Sequence, residues 1–148
     1  MPASVYKLDN DSLSDIFLDD ARLLGLVSAA KDYQLCLQVN NTLQFDFRLD
    51  KNLEVRMKKG RKNCYYNVFV FNEPMKSVNH YLFNNHFRTD FLLPELKQFD
   101  CLWLVKGDYY HTGELKQLIE LVREIECIRL AAELPLSEVK NRSNLTLD

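Results

Sequence analysis

Between Phe45 and Met57 the apolar residues fall on every second position: Phe45, Phe47 and Leu49 alternate with Asp46, Arg48 and Asp50, then Leu53, Val55 and Met57 alternate with Glu54, Arg56 and Lys58. A period of two puts successive side chains on opposite sides of an extended chain, so both stretches read as strands with one wet face. Residues 59–63 have turn composition, and the aromatic and β-branched run 65–71 completes a hairpin, closed off by Asn72, Glu73 and Pro74. Residues 77–83 and 87–93 are further short strands. The run 99–105 is apolar on both faces and predicts a central strand. Residues 22–29 form a compact apolar run about Gly25, short enough for a buried strand, and 128–134 returns as a strand stopped by Pro135.

Two segments depart from this period. Leu115, Leu118, Ile119, Val122 and Ile125 recur at helical spacing, with Thr112 as N-cap and Glu114 adding negative charge to the first turn. Asp32 is the expected N-cap of a second helix over residues 33–42. A strand-rich middle with helices near both ends predicts one α+β domain: a mostly antiparallel sheet of about six strands with two main helices packed on it.

The chain has 148 residues, the length of a single domain, and its 19 Lys and Arg against 21 Asp and Glu leave a net charge of -2. With 47% hydrophobic residues it is neither a basic nucleic-acid tail nor a disordered chain. Residues 1–20 form an acidic arm, expected to be solvated and partly ordered. The polar tail 137–148 is expected either to add a short strand through Leu145 and Leu147 or to fray. No apolar run approaches the ~18 residues that span a bilayer, and the N-terminus lacks the basic start and apolar block of a signal peptide. A cytoplasmic protein with no membrane partner is therefore expected.

Cys36, Cys64, Cys101 and Cys127 form no C-x-x-C pair and have no histidine at ligand spacing. They read as reduced, buried thiols. Only Cys64, which follows Arg61 and Lys62, has basic neighbours that would favour a thiolate. His80, His86 and His111 make no metal-binding pattern and read as surface or sheet histidines, so no metal and no cofactor is expected. Residues 107–113 lead into the C-terminal helix, but their glycine spacing matches no phosphate-binding fingerprint and reads as a turn.

Two constellations suggest function. Glu95 and Asp100 lie at a connection between apolar strands and would serve as an acid and base pair if one were desolvated against Phe99 or Trp103. The structural alternative has Pro94 fixing the strand exit, Glu95 accepting backbone N–H bonds and Asp100 pairing with Lys97 or a neighbouring strand. In the second constellation, Arg56, Lys58, Lys59, Arg61 and Lys62 place five positive charges in seven residues, with Tyr65 and Tyr66 just beyond. That combination suits phosphate contact and base stacking, or else a soluble hairpin tip whose lysines block edge pairing.

The segment Leu93-Pro94-Glu95, three residues, then Phe99-Asp100-Cys101 resembles the naming motif of the IPExxxVDY family of uncharacterised bacterial proteins. Lys7-Leu8-Asp9, Leu24-Gly25-Leu26, Asp32-Tyr33-Gln34-Leu35 and Lys140-Asn141-Arg142-Ser143-Asn144-Leu145 resemble further segments of that family, in the same order along the chain. Cys101 departs from the motif, standing where the family has tyrosine. The resemblance implies no reaction, cofactor or catalytic residue. The expected function is a non-catalytic protein-interaction or accessory domain. The alternatives are RNA or ribonucleoprotein binding through the basic hairpin and a carboxylate enzyme using Glu95 and Asp100, and homodimerisation through an exposed strand is compatible with each.

Overall fold

The computed structural model describes residues 14–147. Its centre is the strand β9 (Cys101–Lys106), in which residues 101–105 are all buried, as an apolar run covered on both faces requires. Burial of Leu102, Leu104 and Val105 contributes roughly 1.5–3 kcal/mol each. β1 (Ala21–Ser28) and β6 (Val78–Asn84) flank β9. Beyond β6 come β5 (Val68–Glu73) and the two-residue edge strand β2 (Arg48–Leu49), and beyond β1 comes β10 (Ile128–Leu134). Every pairing in this six-stranded sheet is antiparallel.

Alternation along the strands divides the core in two. Cys101, Trp103 and Val105 face α2 (Asp32–Leu43) and α3 (Thr112–Arg123), which bring down Leu35, Cys36 and Val39, and Leu115, Leu118, Ile119 and Val122. Leu102 and Leu104 face the opposite way, into a second cluster. There the covering elements are a hairpin of β3 (Val55–Lys59) and β4 (Lys62–Tyr66), a helical turn at 14–18 (α1), the segment 85–99, and the C-terminal residues Val139 and Leu145. The α+β expectation holds, and the face opposite the helices is covered too.

Several local expectations are corrected. Lys31, not Asp32, occupies the N-cap of α2, and His111, not Thr112, that of α3. Of the predicted strand 45–49 only Arg48 and Leu49 pair, because Phe45 and Phe47 turn into the aromatic core. The run 65–71 breaks at Asn67, and the β3–β4 turn is tight enough to leave Lys59 and Lys62 paired in the ladder. Residues 87–93 give only two-residue strands, β7 (His86–Phe87) and β8 (Asp90–Phe91). Over the described residues 137–147 the tail adds no strand: it makes two 3-10 turns, Leu136–Glu138 and Arg142–Leu145, and Leu145 is wholly buried. Residues 1–13 of the acidic arm lie outside the described residues. The arm's remainder is anchored, with Leu18 in the core, Asp20 2.6 Å from Lys106 and Asp15 3.3 Å from Arg142.

Candidate functional site

The buried polar group of greatest consequence is His80, which has no solvent exposure. It sits in β6 between Val78 and Leu82 on the helix-facing register, so its ring enters a box of Phe45, Phe47, Phe71, Trp103 and Tyr110 with centroid separations of 5.1 to 6.0 Å. Trp103 Nε1 lies 3.0 Å from His80 Nδ1. An indole N–H can only donate, so Nδ1 accepts and the ring proton belongs on Nε2, which donates to Glu73 Oε1 at 2.9 Å. Tyr110 donates to the same carboxylate oxygen at 2.8 Å.

Glu73 ends β5 and keeps its second oxygen, Oε2, for Lys76 at 3.1 Å. Burial opposes ionisation of Glu73, but the bonds from His80, Tyr110 and Lys76 outweigh it and hold the carboxyl at about 2. Burial pushes His80 below the ordinary imidazole range against the pull of Glu73. The Glu73 carboxylate raises Lys76, and burial followed by Glu73 raises the Tyr110 phenol. The Lys76 ammonium also lies 4.4 Å from the centre of the Tyr109 ring and 5.8 Å from that of Tyr110. A cavity of about 290 Å³ extends from this cluster across Leu43, Phe45, Leu118 and Leu121, between the end of α2 and the outer side of α3.

The motif-like segment has a structural organiser at Asn85. This wholly buried side chain donates to the carbonyls of Leu96 and Phe99, both at 3.0 Å, and accepts the Leu93 N–H at 2.8 Å. Leu93 and Phe99 are buried beneath it, while Pro94 is exposed at the start of a 3-10 turn, Pro94–Leu96. Glu95 points to the C-terminal tail, accepting the Asn141 backbone N–H at 2.7 Å and Asn141 Nδ2 at 3.0 Å. Burial opposes its ionisation, but these bonds prevail and lower its carboxyl.

Asp100 instead accepts the Ser28 N–H of β1 at 2.8 Å, with His86 Nε2 3.2 Å from its other oxygen. It borders a separate cavity of about 300 Å³ that includes Asp32, Asn84 and His86. There Asp32 Oδ2 accepts from Asn67 at 3.0 Å and Asn84 at 3.2 Å. The two carboxylates that the sequence places close together thus serve different parts of the fold. Trp103 and Phe99 lie in opposite core clusters, so neither shields such a pair.

The hairpin divides its basic residues. Lys59 turns inward to the Phe91 carbonyl, Lys62 lies 3.7 Å from Asp90, and Arg56 lies 3.2 Å from Glu54. Among the described residues Lys58 and Arg61 have no ion-pair partner. Arg56, Lys58 and Tyr65 are exposed on the outward side of the ribbon, with Arg56 directly across from Tyr65. Tyr66 is wholly buried on the other side.

All four cysteines are buried and unpaired in disulfides. Cys64, the thiol with basic sequence neighbours, is wholly enclosed with Sγ 3.7 Å from Asp90. Among the described residues no group of three or more His, Cys, Asp or Glu is placed to hold a metal ion. No helix there is long and apolar enough to cross a membrane.

Sequence reasoning missed Glu73, Lys76, Tyr110 and Asn85. One signal was available for His80, its place between Val78 and Leu82 in a strand of alternating burial. Glu73 and Tyr110 are 37 positions apart and meet only through tertiary packing. No family model, no curated protein and no solved structure matches this chain.

Proposed function

We propose that this chain is a non-catalytic, cytoplasmic interaction or accessory domain of the IPExxxVDY type. The observation that carries the reading is the commitment of its reactive groups to internal bonds. His80 is engaged through both ring nitrogens, Glu95 holds Asn141, and Asp100 holds Ser28. A general base must reach a substrate proton, and His80 has no solvent exposure, while Asp100, which borders the second cavity, has one oxygen held by the Ser28 N–H. Apolar surface remains for binding: Leu121 is 47% exposed beside the cavity between α2 and α3.

The test is affinity capture from native lysate with half of the sample treated with ribonuclease. A stable protein partner indifferent to ribonuclease is expected. Recovery of no partner from either half, with turnover in a metabolite screen that Asp100→Asn or His86→Gln abolishes, overturns the reading.

The outward side of the hairpin favours a second reading, RNA contact, because Arg56 and Lys58 flank an exposed aromatic ring. Charge reversal at Arg56, Lys58 and Arg61 then removes RNA retention and flattens its salt dependence. Retention unchanged in that variant disposes of the second reading.

A further inference from the structure

Lys76 sits on a turn whose backbone is held in an unusual shape. Met75 and Ser77, on either side of it, have φ of 69° and 54°, the left-handed region that residues with a Cβ populate sparsely. The turn rests on Gly107, where a Cβ would meet the Ser77 carbonyl oxygen at 2.8 Å, so the glycine permits the close approach. Met75 is fully exposed, whereas the Lys76 side chain is only 36% exposed because it folds back against Glu73 and the tyrosines.

What receives it is a cation box. Glu73 is fixed by two donors into one oxygen, its side chain is 9% exposed, its other oxygen holds Lys76, and it lines the cavity together with Tyr109 and Tyr110. A carboxylate shielded from water next to aromatic faces is a recognition element for an ammonium group. Leu43, Phe45, Leu118 and Leu121 supply an apolar wall beside the charge, suited to the methylene stem of a lysine.

We propose that the box formed by Glu73, Tyr109 and Tyr110 binds a lysine side chain presented by a partner protein, and that Lys76 occupies it in the partner's absence. This assignment rests on the interaction reading above and names the chemistry its partner must carry. Lys76 is an internal occupant that a competing lysine displaces, and the turn at 74–77 moves with it. The chemistry of the incoming group is that of the group already present, an ammonium on an unbranched apolar stem.

The experiment uses the full chain and its Lys76→Ala variant, titrated with n-butylammonium chloride against matched sodium chloride. Trp103, the chain's single tryptophan, reports through its bond to His80 and thence Glu73. Lys76→Ala is expected to bind butylammonium at least about tenfold more tightly than the unsubstituted chain, with a matching rise in thermal midpoint. Adding Tyr109→Leu, at a ring 41% exposed to solvent, removes that gain without breaking the bonds to Glu73. Equal affinity in the two chains, or no effect of Tyr109→Leu, overturns the proposal. A captured protein partner whose retention is unchanged by Tyr109→Leu also overturns this site while leaving the interaction reading standing. Tighter butylammonium binding without any captured partner supports the box and counts against the wider reading.

Discussion

Trp103 donates its indole N–H to His80 Nδ1 at 3.0 Å, and this single bond fixes the tautomer of an imidazole that no water reaches. Nδ1 must accept, so the proton lies on Nε2 and is directed at Glu73. The neutral Nε2–H form is therefore expected in long-range nitrogen–proton NMR spectra at pH 7. Trp103→Phe keeps an aromatic ring but leaves Nδ1 without a donor, and should cost about 2–4 kcal/mol in urea denaturation from the lost bond and lost volume together.

The same chain of bonds sets the acid limb of stability. The folded pKa of His80 lies below its unfolded value, so the unfolded chain binds more protons and stability falls once pH drops below about 6.5. Glu73 is ionised down to about 2 when folded, so its contribution is complete above about 4.5 and is lost between about 4.5 and 2. Its full size is roughly 3 kcal/mol. Denaturation midpoints should decline in two stages on acidification, and Glu73→Gln should flatten the lower stage.

Asn85 holds together the segment 93–99. Asn85→Ala leaves the carbonyls of Leu96 and Phe99 and the Leu93 N–H without their partner in the core, and should destabilise by at least about 3 kcal/mol. Asn85→Asp is expected to be as harmful, because an ionised carboxylate cannot donate to the two carbonyls. Thermal unfolding of both variants checks this.

Glu95→Gln should be far milder, about 1 kcal/mol, since a glutamine oxygen still accepts the Asn141 N–H. Its effect should be local. Hydrogen exchange should quicken across residues 136–147 while the amides of β9 stay protected.

Gly25 lies where β1 passes under Phe99 and Leu134, and a Cβ there would meet their carbons at 2.7 and 2.8 Å. Gly25→Ala should cost about 1–3 kcal/mol through overpacking. Gly25→Ala combined with Phe99→Leu should recover part of that loss, which a double-mutant cycle measures.

The fold class was legible because its evidence is local. Alternation at residues 53–57, the doubly apolar run at 101–105 and the helical spacing from Leu115 to Val122 each declare their state within a few positions. Phe45 and Phe47 misled for a physical reason: they alternate like strand residues, yet their rings both pack into the aromatic box around His80 instead of extending the edge strand. The site was less legible still. Glu73, His80, Trp103 and Tyr110 come from three strands and a loop, and no spacing rule links them. Glu95 and Asp100 follow the structural alternative, each accepting a backbone N–H, from Asn141 and from Ser28 of β1, since proximity in sequence does not make two carboxylates share a site when the backbone between them turns.

Strand order also sets the sequence of events during synthesis. β1 takes both of its neighbours, β9 and β10, from segments at least 70 residues downstream. A nascent chain can make α2 and the β5–β6 hairpin early. Its middle strand position stays vacant until residues 101–106 leave the exit tunnel, and β1 has neither neighbour until then. The ribosome-bound chain thus carries an apolar strand without partners while at least 70 further residues are made, and residues 23–27 are where a chaperone that shields nascent chains should be found.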